Sequence, residues 1–303
     1  VGWEMELGGS VVIVGVGFVG GRLARRLLGE GVEVVGVSGS EQGAVEALGR
    51  WGIAPRSVDV GDGEAVRRLA GEIRGEVGAV VHCASSGRGG EEAYRRIFVG
   101  GCENLAAAFP GARLVFTSST SVYPQVGGEL VDEDSEVVVG RETGRLLLEA
   151  EGIVRGAGGI VARLAGLYGP GRSYPLQKLL RGEAVVEVAD GVPDGRILNQ
   201  LHGDDAAGAL EWLLGLGGGG GVFNVVDDRP MTQREIYAGL CERLGLPLPG
   251  DGEPELGRKR GWTHKRVSNA RLRAAGWEPE YPSYFDAVER DQDLVRSVRL
   301  QVG

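Results

Sequence analysis

The chain has 303 residues, 42% apolar and 25% charged, enough apolar surface for a full core and incompatible with disorder or collagen-like repeats. Its 33 Lys and Arg against 42 Asp and Glu leave a net charge of -9, so no general attraction draws it to nucleic acid or an anionic membrane, and an anionic ligand needs a local, shaped site. Three scattered cysteines, Cys83, Cys102 and Cys241, exclude a disulfide framework or paired metal-ligand spacing and fit a reducing cytoplasm.

No apolar run approaches the roughly 20 residues of a membrane helix. The stretch from Val11 to Val19 is broken by glycines and follows Glu4 and Glu6, unlike the basic leader of a signal peptide. Along the chain, Val-rich runs alternate with amphipathic stretches. They predict strands at 10–15, 33–37, 56–60, 79–84, 113–117 and 159–164, with helices at 20–29, 42–50, 63–73, 91–109 and 141–155. This alternation predicts an α/β fold with a doubly wound parallel sheet. After Leu164 the pattern loosens: a short helix beginning near Pro175, strands at 197–201 and 222–226, helices at 204–214 and 232–244. The expected division is a sheet domain over 1–165, with 197–230 returning to it, and a smaller substrate lobe over most of 166–303. Glycine is abundant, 55 residues against a usual share of about 7%. Gly217 to Gly221 reads as loop filler.

The first strand ends in Gly15-Val-Gly17-Phe18-Val19-Gly20 and runs directly into a helix. In that context the GxGxxG spacing has a steric and electrostatic meaning. Gly15 permits the sharp turn, Gly17 lets the backbone approach a pyrophosphate, Gly20 lets helix and strand pack closely, and the helix-end amides bind the anion. An NAD site usually carries a carboxylate at the end of the second strand to bind the ribose hydroxyls. Here that place reads Val37-Ser38-Gly39-Ser40. Without a carboxylate to repel a 2′-phosphate, and with Ser38, Ser40 and Arg22 at hand, the segment favours NADP over NAD. The serines also suit an ordinary turn.

These residues resemble the extended short-chain dehydrogenase/reductase superfamily, NAD-dependent epimerase/dehydratase type, over nearly the whole chain. Val58-Asp59-Val60-Gly61-Asp62 is similar to the family's third-strand end beside adenine, and Ala79 to His82-Cys83-Ala84 to its fourth-strand segment along the cofactor. Phe116-Thr-Ser118-Ser119-Thr-Ser-Val-Tyr123 resembles its serine-rich strand end, and Arg163 to Tyr168-Gly-Pro-Gly171-Arg172 its arginine-to-YGPG segment. His202-Gly-Asp204-Asp205 and Phe223-Asn224-Val225 match later landmarks in order. The resemblance implies a Rossmann fold, a nicotinamide coenzyme, a substrate between the lobes, and a homodimer through helices 91–109 and 141–155.

The family's catalytic helix carries a Tyr with a Lys four residues on, both on one face, where the Lys lowers the phenol pKa and the phenol moves a proton. Matched by its trailing Leu and Glu residues, this chain places Arg141 at the tyrosine and Arg145 at the lysine. Arg145 would keep the positive charge beside the cofactor, whereas a guanidinium at Arg141 stays protonated and cannot replace a phenol. The only lysines are Lys178, Lys259 and Lys265, so no shift of register restores the pair. Tyr174 and Lys178 match the spacing, but beyond the sixth strand with Pro175 at a helix start they are a decoy. Phe98-Val-Gly-Gly101 departs again, where the family often has Asn.

What remains for catalysis is Ser119, which would donate to a substrate carbonyl or cap local backbone, Arg145 on the ribose, and the phenols Tyr123 and Tyr168, each read as packing or, from the opposite wall, as a substitute proton donor. His82 reads as a hydrogen-bonded core histidine, and His202 with Asp204 and Asp205 as a helix cap. The basic run from Arg258-Lys259-Arg260 to His264-Lys265-Arg266 reads as a solvated loop or as a grip on an anionic substrate. Two functions are consistent with this pattern. One is an NAD(P)-dependent oxidoreductase or epimerase-like enzyme acting on a small-molecule carbonyl or nucleotide-sugar-type substrate, cytoplasmic and metal-free; the other is a catalytically silent NAD(P)-binding redox sensor or scaffold.

Overall fold

The computed structural model describes residues 8–87, 89–137, 140–257 and 261–302. The first half runs β1 (Ser10–Val14), α1 (Gly20–Gly29), β2 (Val34–Ser38), α2 (Glu41–Trp51), β3 (Arg56–Ser57), α3 (Gly63–Glu72), β4 (Val77–His82), α4 (Glu91–Tyr94), a π-helical turn (Arg95–Gly100), α5 (Gly101–Ala108), β5 (Arg113–Ser119), a 3-10 turn (Thr120–Val122), β6 (Glu129–Val131), α6 (Glu142–Gly156) and β7 (Ile160–Leu164). The second half runs β8 (Gly166–Tyr168), α7 (Tyr174–Leu180), β9 (Val186–Glu187), β10 (Ile197–Leu198), β11 (Gln200–His202), α8 (Gly203–Gly215), β12 (Gly221–Val225), β13 (Met231–Thr232), α9 (Gln233–Leu244), β14 (Asp251–Gly252), β15 (Lys265–Val267), α10 (Ala270–Ala274), α11 (Tyr284–Arg290) and α12 (Gln292–Val302). They form two compact units.

The first unit takes residues 8–122, 140–163 and 207–223. It is built on a seven-stranded parallel sheet in the order β12-β7-β5-β4-β1-β2-β3. Every residue of β1 and β7 is buried, as strands covered on both faces require. The switch point, where the strand order reverses, falls between β1 and β4, the place where open α/β sheets bind ligands. Helix α1 buries Leu23, Ala24 and Leu27 and exposes Arg25 and Arg26. The segment returning to this unit is shorter than expected, 207–223.

Two expected elements are shortened or broken for local reasons. Strand β3 has two residues rather than five, because Asp59 Oδ1 accepts from the Gly61 amide at 2.9 Å and turns the chain. The single helix expected over 91–109 contains a π-helical turn. There the His82 Nε2–H, pointing out of β4, donates to the Ile97 carbonyl at 2.8 Å, a side chain bonding into the helix's own hydrogen-bond ladder.

The second unit takes residues 123–137, 164–206 and 224–302. Tyr168, Leu176, Ile236, Leu240, Tyr284 and Leu294 form part of its core. Strands β8 and β11 pair in parallel, as do β6 and β15, while β10 pairs antiparallel with β13. The strand expected over 197–201 is therefore two short ones, since its halves pair with different partners in opposite senses. A capping box between Thr232 and Glu235 fixes the start of α9. Among the described residues, no helix is long and apolar enough to cross a membrane.

Candidate functional site

Between β1 and α1 the three fingerprint glycines are explained by different neighbours. Gly15 has φ +93°, and a Cβ there would lie 2.5 Å from the Ala84 amide nitrogen, so the end of β1 presses against the chain leaving β4. A Cβ at Gly20 would meet the Gly15 carbonyl oxygen at 2.2 Å and Ile13 Cγ2 at 3.1 Å. Gly17 differs: its φ is not positive and a Cβ would meet nothing within 4 Å. No atom among the described residues requires glycine there, whereas a group lying on the backbone from outside would. Helix α1 opens beside it with no side-chain cap and no acidic residue in its first turn, leaving its positive end available to an anion. Val19 is buried, and the Phe18 ring lies 4.1 Å from the Arg22 guanidinium, which also donates to the Phe18 carbonyl at 2.8 Å.

The other expected coenzyme residues stand at the same carboxyl end of the sheet. Ser38 Oγ donates to the Ser40 carbonyl at 3.0 Å, and Ser40 Oγ accepts from the Gly43 amide at 3.1 Å as the N-cap of α2. Asp59 is bonded to Gly61 and paired with Arg96. Buried Val60 receives Asn104 Nδ2 on its carbonyl at 2.9 Å. The Cys83 amide donates to the Val14 carbonyl at 2.7 Å, and burial pushes the Cys83 thiol up to about 12, which keeps it protonated. His82 is wholly buried; its Nε2–H is used on Ile97 and its Nδ1 accepts from the Ala84 amide at 3.4 Å. Burial lowers its pKa to about 4, so it is a neutral core histidine with both nitrogens occupied.

Ser119 ends β5. Its Oγ accepts from the Ser121 amide at 3.2 Å, and among the described residues its hydroxyl hydrogen has no acceptor. That leaves a hydroxyl donor at the strand end. Just before it, Ser118 Oγ donates to Glu151 Oε1 at 2.6 Å, and Arg163 makes bonds of 3.0 and 2.7 Å to the two Glu151 oxygens. This buried group ties β5, α6 and β7 together and fixes the helix bearing the two arginines. Arg141 is the N-cap of α6. Arg145, one turn on, is mostly exposed and lies 3.4 Å from Glu142.

Tyr168 belongs to the second unit. It lies in the core of the second unit, 1% exposed, with its hydroxyl donating to the Ser283 carbonyl at 3.4 Å and burial holding its pKa far above that of a free phenol. So enclosed, the phenol has the surroundings of a packing residue, one of its two expected readings. Tyr123 is likewise buried and donates to Asn224 Oδ1 at 2.9 Å. The expected cap at 202–205 also differs. His202 Nδ1 accepts from the Asp204 amide at 3.3 Å, while Asp205 turns away and accepts from the Glu280 and Tyr281 amides at 2.6 and 3.1 Å.

Of the basic run, residues 258–260 lie outside the described residues. Lys265 is not on a solvated loop. It is 3% exposed, on the inner side of β15, with Nζ donating to the Tyr123 carbonyl at 2.7 Å and to Thr263 Oγ1 at 3.1 Å. Its alternation with buried Val267, across exposed Arg266, is the signal that betrays an inward lysine.

A parallel sheet whose switch point carries an uncapped helix start over an open glycine defines a dinucleotide-binding protein of the Rossmann class. Residues 11–225 match the NAD dependent epimerase/dehydratase family, and the chain belongs to that family. Protein YeeZ of Escherichia coli K12 is 31% identical over 253 residues, covering 79% of this chain and 85% of that protein. A functionally unknown conserved protein from Silicibacter pomeroyi DSS is 26% identical, with a TM-score of 0.73 over 94% of this chain and 99% of the other. The UDP-glucose 4-epimerase of Thermus thermophilus, solved in complex with NAD, is 22% identical, with a TM-score of 0.77 over 96% and 99%. At that identity the likeness is one of fold.

Proposed function

We propose that the protein is an NAD(P)-dependent enzyme of the epimerase/dehydratase type, acting on a carbonyl or nucleotide-sugar-type substrate without the family's Tyr and Lys pair. The observation that carries this reading is Gly17, whose open face beside the uncapped start of α1 has the form a diphosphate needs. Gly15, Gly17, Phe18, Val19 and Gly20 would hold the diphosphate, Asp59, Val60, Cys83 and Ala84 would line the adenine and central portion, and Ser38 and Ser40 would face the ribose 2′-phosphate. The lack of a carboxylate at the end of β2 supports NADP over NAD. When bound, such a coenzyme supplies or accepts a hydride. Ser119 donates to the substrate oxygen and stabilises charge developing there. Arg145 binds the ribose hydroxyls, and its fixed positive charge cannot act as the acid.

The substitution of Arg141 and Arg145 for Tyr and Lys favours a second reading, a silent coenzyme-binding sensor or scaffold. Titration calorimetry with NADP+, NAD+ and their reduced forms, followed by NADPH oxidation against a carbonyl panel, separates the two. The enzyme reading expects tighter NADP+ binding and turnover that Ser119→Ala lowers about 10- to 100-fold. Binding without turnover establishes the silent protein, and no binding in a folded chain removes both.

A further inference from the structure

A lysine is almost never fully buried unless paired, because an ammonium away from water needs a counterion. Lys265 is 3% exposed, and its amine meets only neutral groups, the Tyr123 carbonyl at 2.7 Å and Thr263 Oγ1 at 3.1 Å. Among the described residues no carboxylate lies within 4 Å of it. The charged and titratable groups on the elements around it are bonded to other partners. Glu129, its register partner on β6, is exposed and accepts from the Gly127 amide at 2.9 Å. Arg266 is exposed and donates to the Gly128 carbonyl, His264 Nδ1 accepts from the Ile197 amide, and the Tyr123 phenol donates to Asn224. Arg196, just before β10, has Glu187 at 3.5 Å. Burial first, and then the Arg196 charge, bring the Lys265 amine down to about 7. At pH 8 about nine-tenths of it is therefore the free base.

We propose that Lys265 is a modification site for carbon dioxide, a buried amine that forms a carbamate in the folded protein. The amine lone pair attacks the carbon of CO2. An N–C bond forms as one C=O π bond breaks onto its oxygen, and the nitrogen gives one proton to solvent, so that R–NH2 and CO2 yield R–NH–COO− and H+. Nothing is oxidised or reduced, and no leaving group is needed. Desolvation or a neighbouring cation makes a lysine nucleophilic, and Lys265 has both. At pH 8 it holds about 200 times more free base than an ordinary lysine. The electrophile must be small and uncharged to reach an amine so enclosed, which CO2 is and an acyl phosphate is not. The product is an anion, favoured by the same Arg196 charge that disfavours the ammonium. Its N–H keeps the bond to the Tyr123 carbonyl, and the Thr263 hydroxyl turns to donate to the new carboxylate. Every group involved lies in the second unit, so the proposal rests on neither the coenzyme nor the enzyme reading.

The test is alkylative trapping on the full chain. The protein is equilibrated with dissolved CO2 at pH 8, with chloride holding the ionic strength constant. Triethyloxonium then fixes any carbamate as its ethyl ester, and peptide mass spectrometry locates it. Lys265 is expected to carry the ethoxycarbonyl group saturably with CO2, at least about tenfold more than Lys178 on α7. At an equal, subsaturating CO2 concentration, labelling falls at least about tenfold at pH 6, since an ammonium has no lone pair. CO2 also stabilises the fold, because the unfolded chain has no such amine. At ten times its half-saturating level, the folded-to-unfolded ratio in urea at fixed pH rises about 11-fold, and Lys265→Met removes that response. Circular dichroism checks that the variant is folded, and the trapping itself needs no variant. No label on Lys265 in the folded, unsubstituted protein, label no greater than on Lys178, or the same CO2 response in folded Lys265→Met overturns the proposal.

Discussion

Three single substitutions, Gly15→Ala, Gly17→Ala and Gly20→Ala, separate what the fold needs from what a ligand needs. At Gly15 a methyl group would lie 2.5 Å from the Ala84 backbone in a left-handed conformation, and at Gly20 it would lie 2.2 Å from a carbonyl oxygen. Neither backbone contact can yield cheaply, so each change costs about 2–4 kcal/mol of stability from overpacking and strain. At Gly17 the methyl meets nothing within 4 Å. Gly17→Ala is therefore expected to leave the melting temperature unchanged or slightly raised, since alanine narrows the unfolded ensemble. If a diphosphate lies against that backbone, the same methyl displaces it at a cost of roughly 2–3 kcal/mol, a 30- to 150-fold rise in Kd for NADP+. Differential scanning fluorimetry and calorimetric titration read the two effects independently. Gly17→Ala with unchanged coenzyme affinity would refute the reasoning, and so would a Gly17→Ala melting loss as large as that of Gly15→Ala.

Three further changes probe the buried polar groups. Glu151→Ala leaves the Arg163 guanidinium and Ser118 hydroxyl buried without their common acceptor and should cost about 3–5 kcal/mol in denaturant unfolding; a loss below about 1 kcal/mol would show that the group contributes little. His82 is depressed to about 4, so the unfolded chain binds its proton first as pH falls, and stability is lost from about pH 6.5 down to 4. His82→Gln, which can still donate to Ile97, should flatten that acid limb by up to about 3 kcal/mol, and identical limbs would contradict the assignment. Asp227 has the opposite sign. It is 2% exposed, its Oδ2 has no partner among the described residues, and burial together with Asp228, Asp205 and Asp286 pushes its pKa well above that of a free carboxylate. The fold is therefore penalised as pH rises past the ordinary Asp value, and Asp227→Asn should be more stable than the parent at pH 8 by about 1–2 kcal/mol, with no advantage at pH 3 in the same unfolding assay.

What could be read before the structure was what depends on local spacing. The Val-rich strands, the GxGxxG turn and the helical period of α6 are local patterns, and with no lysine before Lys178 no Tyr and Lys pair can fall on α6. Features that depend on non-local partners were not readable. Nothing in 91–109 announces that a histidine from β4 enters its hydrogen-bond ladder, and nothing around Tyr168 shows whether the phenol faces a cleft or a core. Lys265 belongs with these: its run of basic residues reads as a solvated loop or an anion grip, and only the pairing of β15 turns its side chain inward. The same distinction applies to the two arginines of α6. Their match to the family's Tyr and Lys rests on the trailing Leu and Glu residues, and a guanidinium at either place holds charge and donates hydrogen bonds but stays protonated at neutral pH. Any proton that accompanies hydride transfer must therefore move through a group not on that helix face. The free hydroxyl hydrogen of Ser119 is the donor the first unit offers at the strand end, so an enzyme built this way should owe its pH profile to its substrate and solvent rather than to a tuned phenol.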